Sequence, residues 1–171
     1  MNLIGLDVSL TSTGVASTTL YTVNSKLKGP QRLIDIREAV RTELKHMADT
    51  VVAIEGYSMG SRNNHAHAIG ELGGVLRVMM HEEGIPYVEI PPTCRAKFAT
   101  GKGNASKNEV VSSISARTGI VWSGKGADDM CDAWVLQECL YWKFGIPRYF
   151  WPISHTDGLA KVDWTAIQHL L

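Results

Sequence analysis

Four acidic side chains stand where a fold can gather them. Asp7 closes the apolar run Leu3-Ile4-Gly5-Leu6, Glu55 closes Val51-Val52-Ala53-Ile54, and Asp129 and Asp132 open a helix-like stretch. Carboxylates so placed are the usual ligands of hard divalent cations. Asp129 and Asp132, three residues apart, share a helix face and can reach one ion together. Asp128, four before Asp132, can share that face too, so spacing leaves both Asp128 and Asp129 open. Each acid alone has a plainer use, as a turn former at a strand end or a dipole partner at a helix start. Their joint placement favours a metal site.

Charge is segregated along the chain. The formal net charge is zero, yet between Pro92 and Gly126 the cations Arg95, Lys97, Lys102, Lys107, Arg117 and Lys125 face Glu109 alone, a local charge of +5. A basic segment beside an acidic cluster suits a metal-dependent phosphodiesterase, the first holding a polyanion and the second the ions. A lysine-rich solvated face is the bland alternative. His65 and His67 form an HxH pair, but no further His or Cys stands at ligand spacing, so zinc is not expected there. With Arg62, Asn63 and Asn64 they read instead as a polar, DNA-facing edge. Cys94, Cys131 and Cys139 form no CxxC pair and are odd in number, which fits buried thiols rather than a disulfide framework.

The elements that must position these groups follow an α/β order. Residues 2–8 read as a buried strand, Ser9 to Thr13 as a hydroxyl-rich turn, and residues 14–20 and 21–26 as two further strands. Apolar residues at Leu33, Ile36, Val40, Leu44 and Met47 have a helical period after Pro30. A strand over 50–56, a helix over 64–83 stopped by Gly84, and a strand over 85–90 come next. Pro91-Pro92 ends that strand, two short helices flank Gly101-Lys102-Gly103, and a long final helix spans 127–143. Asp163 can cap a short helix in the tail. Strand ends in an open α/β sheet are where ligands gather, which is where Asp7 and Glu55 fall.

At 171 residues the chain suits one core: residues 1–143 as the main domain, with 144–171 as a C-terminal extension packed on the same domain. No apolar run approaches the roughly 20 residues of a membrane span, and no basic-then-apolar leader is present, so a cytoplasmic location is expected.

In chain order, Gly5-Leu6-Asp7 with Thr13-Gly14, Ile54-Glu55, the glycine-bearing stretch Ala68 to Val75, the segment Pro92 to Lys107 with Gly101 and Gly103, and Asp129-x-x-Asp132-Ala133 resemble the RuvC-type Holliday-junction resolvases, a bacteriophage-type member included. The resemblance runs over residues 3 to about 142. It implies an α/β, ribonuclease H-like fold with a mixed central sheet flanked by helices. It also implies a homodimer, two Mg²⁺ ions per site (Mn²⁺ substituting), and cleavage of four-way junctions or other branched DNA. Asp7, Glu55, Asp129 and Asp132 would be both catalytic and metal-binding, with Asp7 bridging the ions. Lys107 matches a lysine near the scissile phosphate, and Tyr57, Arg62, Asn64, Arg95, Lys97 and Lys102 are the expected DNA contacts.

The chain also departs from that pattern. Val8-Ser9 stands where the family has Pro-Gly, and a family aromatic falls on Ser58, leaving Tyr57 open either to stacking on an unpaired base or to the core. Trp151 and Trp164 are open to the body, a dimer interface or DNA. A ribonuclease H on another substrate fits less well, since it takes its second acid from a helix and Glu55 follows a strand. An actin-like ATPase wants a Gly where Ser9 stands and pairs two domains. A non-catalytic branched-DNA-binding protein would keep the basic segment but has no use for converging acids.

Overall fold

The computed structural model describes residues 1–45, 49–57 and 64–171. Five strands, β1 (Asn2–Asp7), β2 (Thr13–Ala16), β3 (Leu20–Val23), β4 (Thr50–Glu55) and β5 (Tyr87–Ile90), lie in the order β3-β2-β1-β4-β5. The first three form an antiparallel meander and β1-β4-β5 run parallel, so the sheet is mixed. Among the described residues six helices accompany it: α1 (Gly29–Lys45), α2 (Asn64–Glu82), α3 (Pro92–Thr100), α4 (Lys107–Thr118), α5 (Ala127–Lys143) and α6 (Ile153–Thr156). Two 3-10 turns, Asp157–Lys161 and Thr165–Leu170, end the chain.

Alternation along the strands builds two cores. Ile4, Leu6, Val52 and Ile54 pack with Ile36, Val40 and Leu44 of α1 and Leu72, Leu76, Met79 and Met80 of α2. Leu3, Val51, Ala53, Val88 and Ile90 face the other way, onto α3, α4, α5 and the tail. Asp7, two on from Gly5, therefore faces α5, and its parallel neighbour Glu55 does the same. All three cysteines are free and buried.

Two glycines let α5 lie almost on the sheet backbone. A Cβ at Gly5 would come within 1.9 Å of the Ala133 carbonyl oxygen, and one at Gly14, the partner of Asp7 on β2, within 2.1 Å of the Asp129 carbonyl oxygen. A glycine inside a strand is the usual mark of such an approach. Gln137 locks the contact by donating from Nε2 to Leu3 O and Ser17 O, both at 2.8 Å. The Ser9–Thr13 turn is closed by its hydroxyls as expected: Thr13 Oγ1 donates to Ser9 O at 2.6 Å and accepts from Ser9 N at 3.3 Å.

The tail is anchored on a buried charge. Glu138, fully buried in α5, accepts from Arg148 N (2.9 Å), Arg148 Nε (2.7 Å) and Trp151 Nε1 (3.2 Å). Trp151 stacks at 4.2 Å on Phe98 of α3, and Trp164 lies 5.3 Å from Lys143 Nζ. Both indoles thus pack on the body. Asp163 Oδ1 accepts from Thr165 N and Oγ1, opening a 3-10 turn rather than an α-helix. Among the described residues no helix is long and apolar enough to cross a membrane.

Candidate active site

Parallel register brings Asp7 and Glu55 side by side. Leu6 pairs with Ile54, so the next residue on each strand ends the sheet at the same level. The glycine-mediated approach of α5 then lowers Asp132 onto them. Asp7 is 5% exposed and Asp132 1%. Burial, then the charges of Glu55 and Asp132, push the Asp7 carboxyl well above the ordinary carboxylate range. Burial likewise pushes Asp132 up to about 6, although Arg95 pulls the other way.

Arg95 stands in the middle of this group. Its Nε donates to Glu55 Oε1 at 2.6 Å and its Nη1 to Asp132 Oδ1. Its side chain is 9% exposed. Burial disfavours its charge, but Glu55, Asp132 and Asp7 outweigh that and hold it above its ordinary range. The expectation of Arg95 as a DNA contact is thereby corrected: Cys94, Arg95, Phe98 and Ala99 form the buried face of α3, so the guanidinium points inward. Asp132 Oδ2 is buried with no hydrogen-bond partner. Among the described residues no three His, Cys, Asp or Glu side chains converge as an ion would require. They are arranged around a guanidinium instead.

Lys107 is the N1 residue of α4, after a capping box in which Ser106 and Glu109 satisfy each other's backbone amides. Its Nζ reaches across to Asp128 Oδ2 (2.9 Å) and Asp129 Oδ1 (3.1 Å). Burial works against its charge, but these two bonds prevail and hold it protonated; the same contact keeps Asp128 below the usual carboxylate range. Asp129 is the more enclosed acid, 13% exposed in its side chain against 46% for Asp128.

The remaining expected contacts are dispersed. Lys97 turns to the tail and pairs with Asp157 at 2.8 Å. Arg117 bonds Phe150 O and lies over the Trp151 ring. With Arg95 paired inward and Lys107 paired to Asp128 and Asp129, the basic segment is not the continuous positive surface its composition suggests; Lys102, Lys107 and Lys125 stay exposed. Tyr57 is half exposed, its ring 4.4 Å under Arg77, which also holds Glu89 through two 2.8 Å bonds. Gly70 and Gly73 give room to that tyrosine, whereas a Cβ at Gly74 would meet nothing. Arg62 and Ser58 lie outside the described residues, and Asn64 enters only as the first residue of α2. Two clefts of about 600 Å³ lie at the opposite ends of the parallel strands, around Ile85, Pro86 and His169, away from the acids.

A family model described as "Crossover junction endodeoxyribonuclease RuvC" matches residues 4–136. A relative of that name from Corynebacterium diphtheriae is 31% identical over 117 residues, 66% of this chain and 69% of the relative. One from Chloroflexus aggregans is 26% identical over 110 residues, 64% of this chain and 66% of the relative, just under two thirds of its length. Among solved structures, Thermus thermophilus RuvC is matched with a TM-score of 0.66 and 21% identity, over 88% of this chain and 100% of that one. T. thermophilus RuvC in complex with Holliday junction substrate is matched with a TM-score of 0.67, also at 21% identity, over 88% and 99%. At that identity the likeness speaks for the fold, and the ribonuclease H-like arrangement is the one observed.

Proposed function

Since the chain belongs to the RuvC family of crossover junction endodeoxyribonucleases, we propose that it is a divalent-cation-dependent endonuclease that cuts four-way junctions or related branched DNA. The observation that carries this reading is the electrostatic closeness of buried Asp7 to both Glu55 and Asp132 at one end of the sheet under α5, with Arg95 drawn between the latter two in place of a shared ion. Their chemistry fits a hard cation: an all-oxygen set, mutually repelling, with the buried Asp132 Oδ2 left unpaired. Asp7 sits centrally between the other two acids; Glu55 and Asp132 flank it, and Asp129 completes the set or orients the attacking water. When bound there, Mg²⁺, two ions per site with Mn²⁺ as substitute, supplies an activated water and neutralises charge on the leaving 3′ oxygen.

The chain's own residues do the rest. Lys107, held protonated at the mouth of the site, offsets charge developing on the phosphoryl oxygens. Exposed Lys102, with Tyr57 as a stacking surface, meets the DNA. Arms of a four-way junction carry paired scissile bonds, which a homodimer joined through the open Gly74 edge of α2 is suited to cut. The inward Arg95 favours a second reading, a protein that holds branched DNA without cutting it.

Cleavage of a synthetic four-way junction with Mg²⁺ separates the two. Asp7→Asn is expected to abolish cutting while leaving junction binding largely intact. Unimpaired cutting by that variant would sink the site assignment, and wild-type binding without cutting would favour the second reading. Duplex and RNA/DNA hybrid substrates in the same assay define the substrate class.

A further inference from the structure

Arg95 is a fixed positive charge inside a set of carboxylates. Its guanidinium stays protonated at any pH at which the protein folds, and its planar fork is already aligned with Glu55 Oε1 and Asp132 Oδ1. Two further groups mark the same spot as cation-seeking: Asp7, buried against both acids, and Asp132 Oδ2, buried and without a partner. One guanidinium leaves this set net negative and incompletely bonded. That is the condition of a site held together by a stand-in.

We propose that Arg95 is an internal counter-cation that occupies the place of the divalent ion and must withdraw for the ion to bind, so that it sets the metal affinity of the site. The proposal rests on the metal-site reading given above. Its physical basis is competition for the same atoms. A guanidinium N–H and a divalent ion cannot both take the facing lone pairs of Glu55 Oε1 and Asp132 Oδ1, and two cations brought together in a buried site repel. Every step of metal loading therefore breaks an Arg95 contact, and by linkage whatever draws Arg95 away tightens the ion by the same factor. α3 carries Arg95 on a short nine-residue helix ending at Gly101, whose φ of 80° suits glycine. A role confined to holding α3 against β4 and α5 is the alternative, and it predicts no gain in metal affinity when the charge is removed.

The probe is Mn²⁺ alone, its free fraction followed by electron paramagnetic resonance with the full chain. Arg95→Met is expected to bind Mn²⁺ at least tenfold more tightly than wild type, and Arg95→Lys to fall between, since it keeps the charge but loses the fork. A second measurement needs no variant: the Arg95 Nε–H resonance of the wild-type protein is expected to shift and lose protection from exchange as Mg²⁺ saturates. Equal or weaker Mn²⁺ binding by folded Arg95→Met and Arg95→Lys, or an Arg95 signal unmoved at saturation, overturns the proposal. Asp7→Asn separates this from the underlying reading: if it binds Mn²⁺ as wild type does, the metal site itself is misassigned, whatever the Arg95 variants show.

Discussion

Gly5→Ala tests whether the site depends on the closeness of α5 to the sheet. The added Cβ would stand 1.9 Å from the Ala133 carbonyl oxygen and 2.7 Å from Gln137 N, both backbone atoms that cannot rotate away. Carbon and oxygen rest at about 3.3 Å or more, so α5 must retreat by about 1.4 Å at this point. Overpacking of this kind costs about 1–3 kcal/mol. The bonds from Gln137 Nε2 to Leu3 O and Ser17 O, both 2.8 Å, lengthen beyond use, at about 1 kcal/mol each. The total of about 3–5 kcal/mol corresponds, at about 2–4 °C per kcal/mol for a chain of this size, to a melting point lower by about 6–20 °C. Asp132 moves with the helix while Asp7 and Glu55 stay on their strands. A displacement of about 1 Å in a catalytic group commonly costs about 100-fold in rate. Single-turnover cleavage of a four-way junction, run below the melting point of the variant, is therefore expected to slow about 100-fold with junction affinity changed far less. A Gly5→Ala protein that melts within about 2 °C of wild type and cuts at the wild-type rate would refute the reasoning.

Three further outcomes follow from the same geometry. Lys107→Ala removes half-exposed contacts to Asp128 and Asp129, so stability should fall by no more than about 1 kcal/mol, while the chemical step slows about 100-fold; a loss confined to affinity would reduce Lys107 to a phosphate contact. Asp132 has a folded pKa of about 6 against about 3.9 unfolded, so the native state holds the extra proton between those values. Metal-free stability is then full below the unfolded value and lost as pH rises through about 6; melting from pH ~4.5 to ~7.5 should show this fall, reduced in Asp132→Asn. Val78, exposed one turn beyond Gly74 on α2, is placed on the proposed dimer edge: sedimentation should show a wild-type dimer and a Val78→Glu monomer, and identical behaviour would count against that edge.

Local pattern made the strand and helix order legible, together with the strand ends that carry Asp7 and Glu55, because a period of two or 3.6 needs only neighbours. The α5 acids were equally visible as an i, i+3 pair. What escaped was set by contacts between distant segments. Arg95 read as a member of a basic run, although its place among Cys94, Phe98 and Ala99 on a short helix was a signal that it lies on the buried face. Gly5 and Gly14 sat inside strands, where glycine marks close approach, but only the tertiary packing names α5 as the element that approaches. The sum of charges over 92–126 could not reveal that Lys97 and Arg117 are turned toward the tail.

The anchoring of Glu138 links two parts of the chain that differ in how freely they can change over evolution. A relative that lost the segment around Arg148 and Trp151 would leave a carboxylate inside α5 with no counterpart, a defect of about 3–5 kcal/mol for a broken buried pair. Loss of the tail should thus be preceded or accompanied by a neutral residue at position 138. An acid there forecasts, from sequence alone, that a guanidinium-bearing segment follows α5.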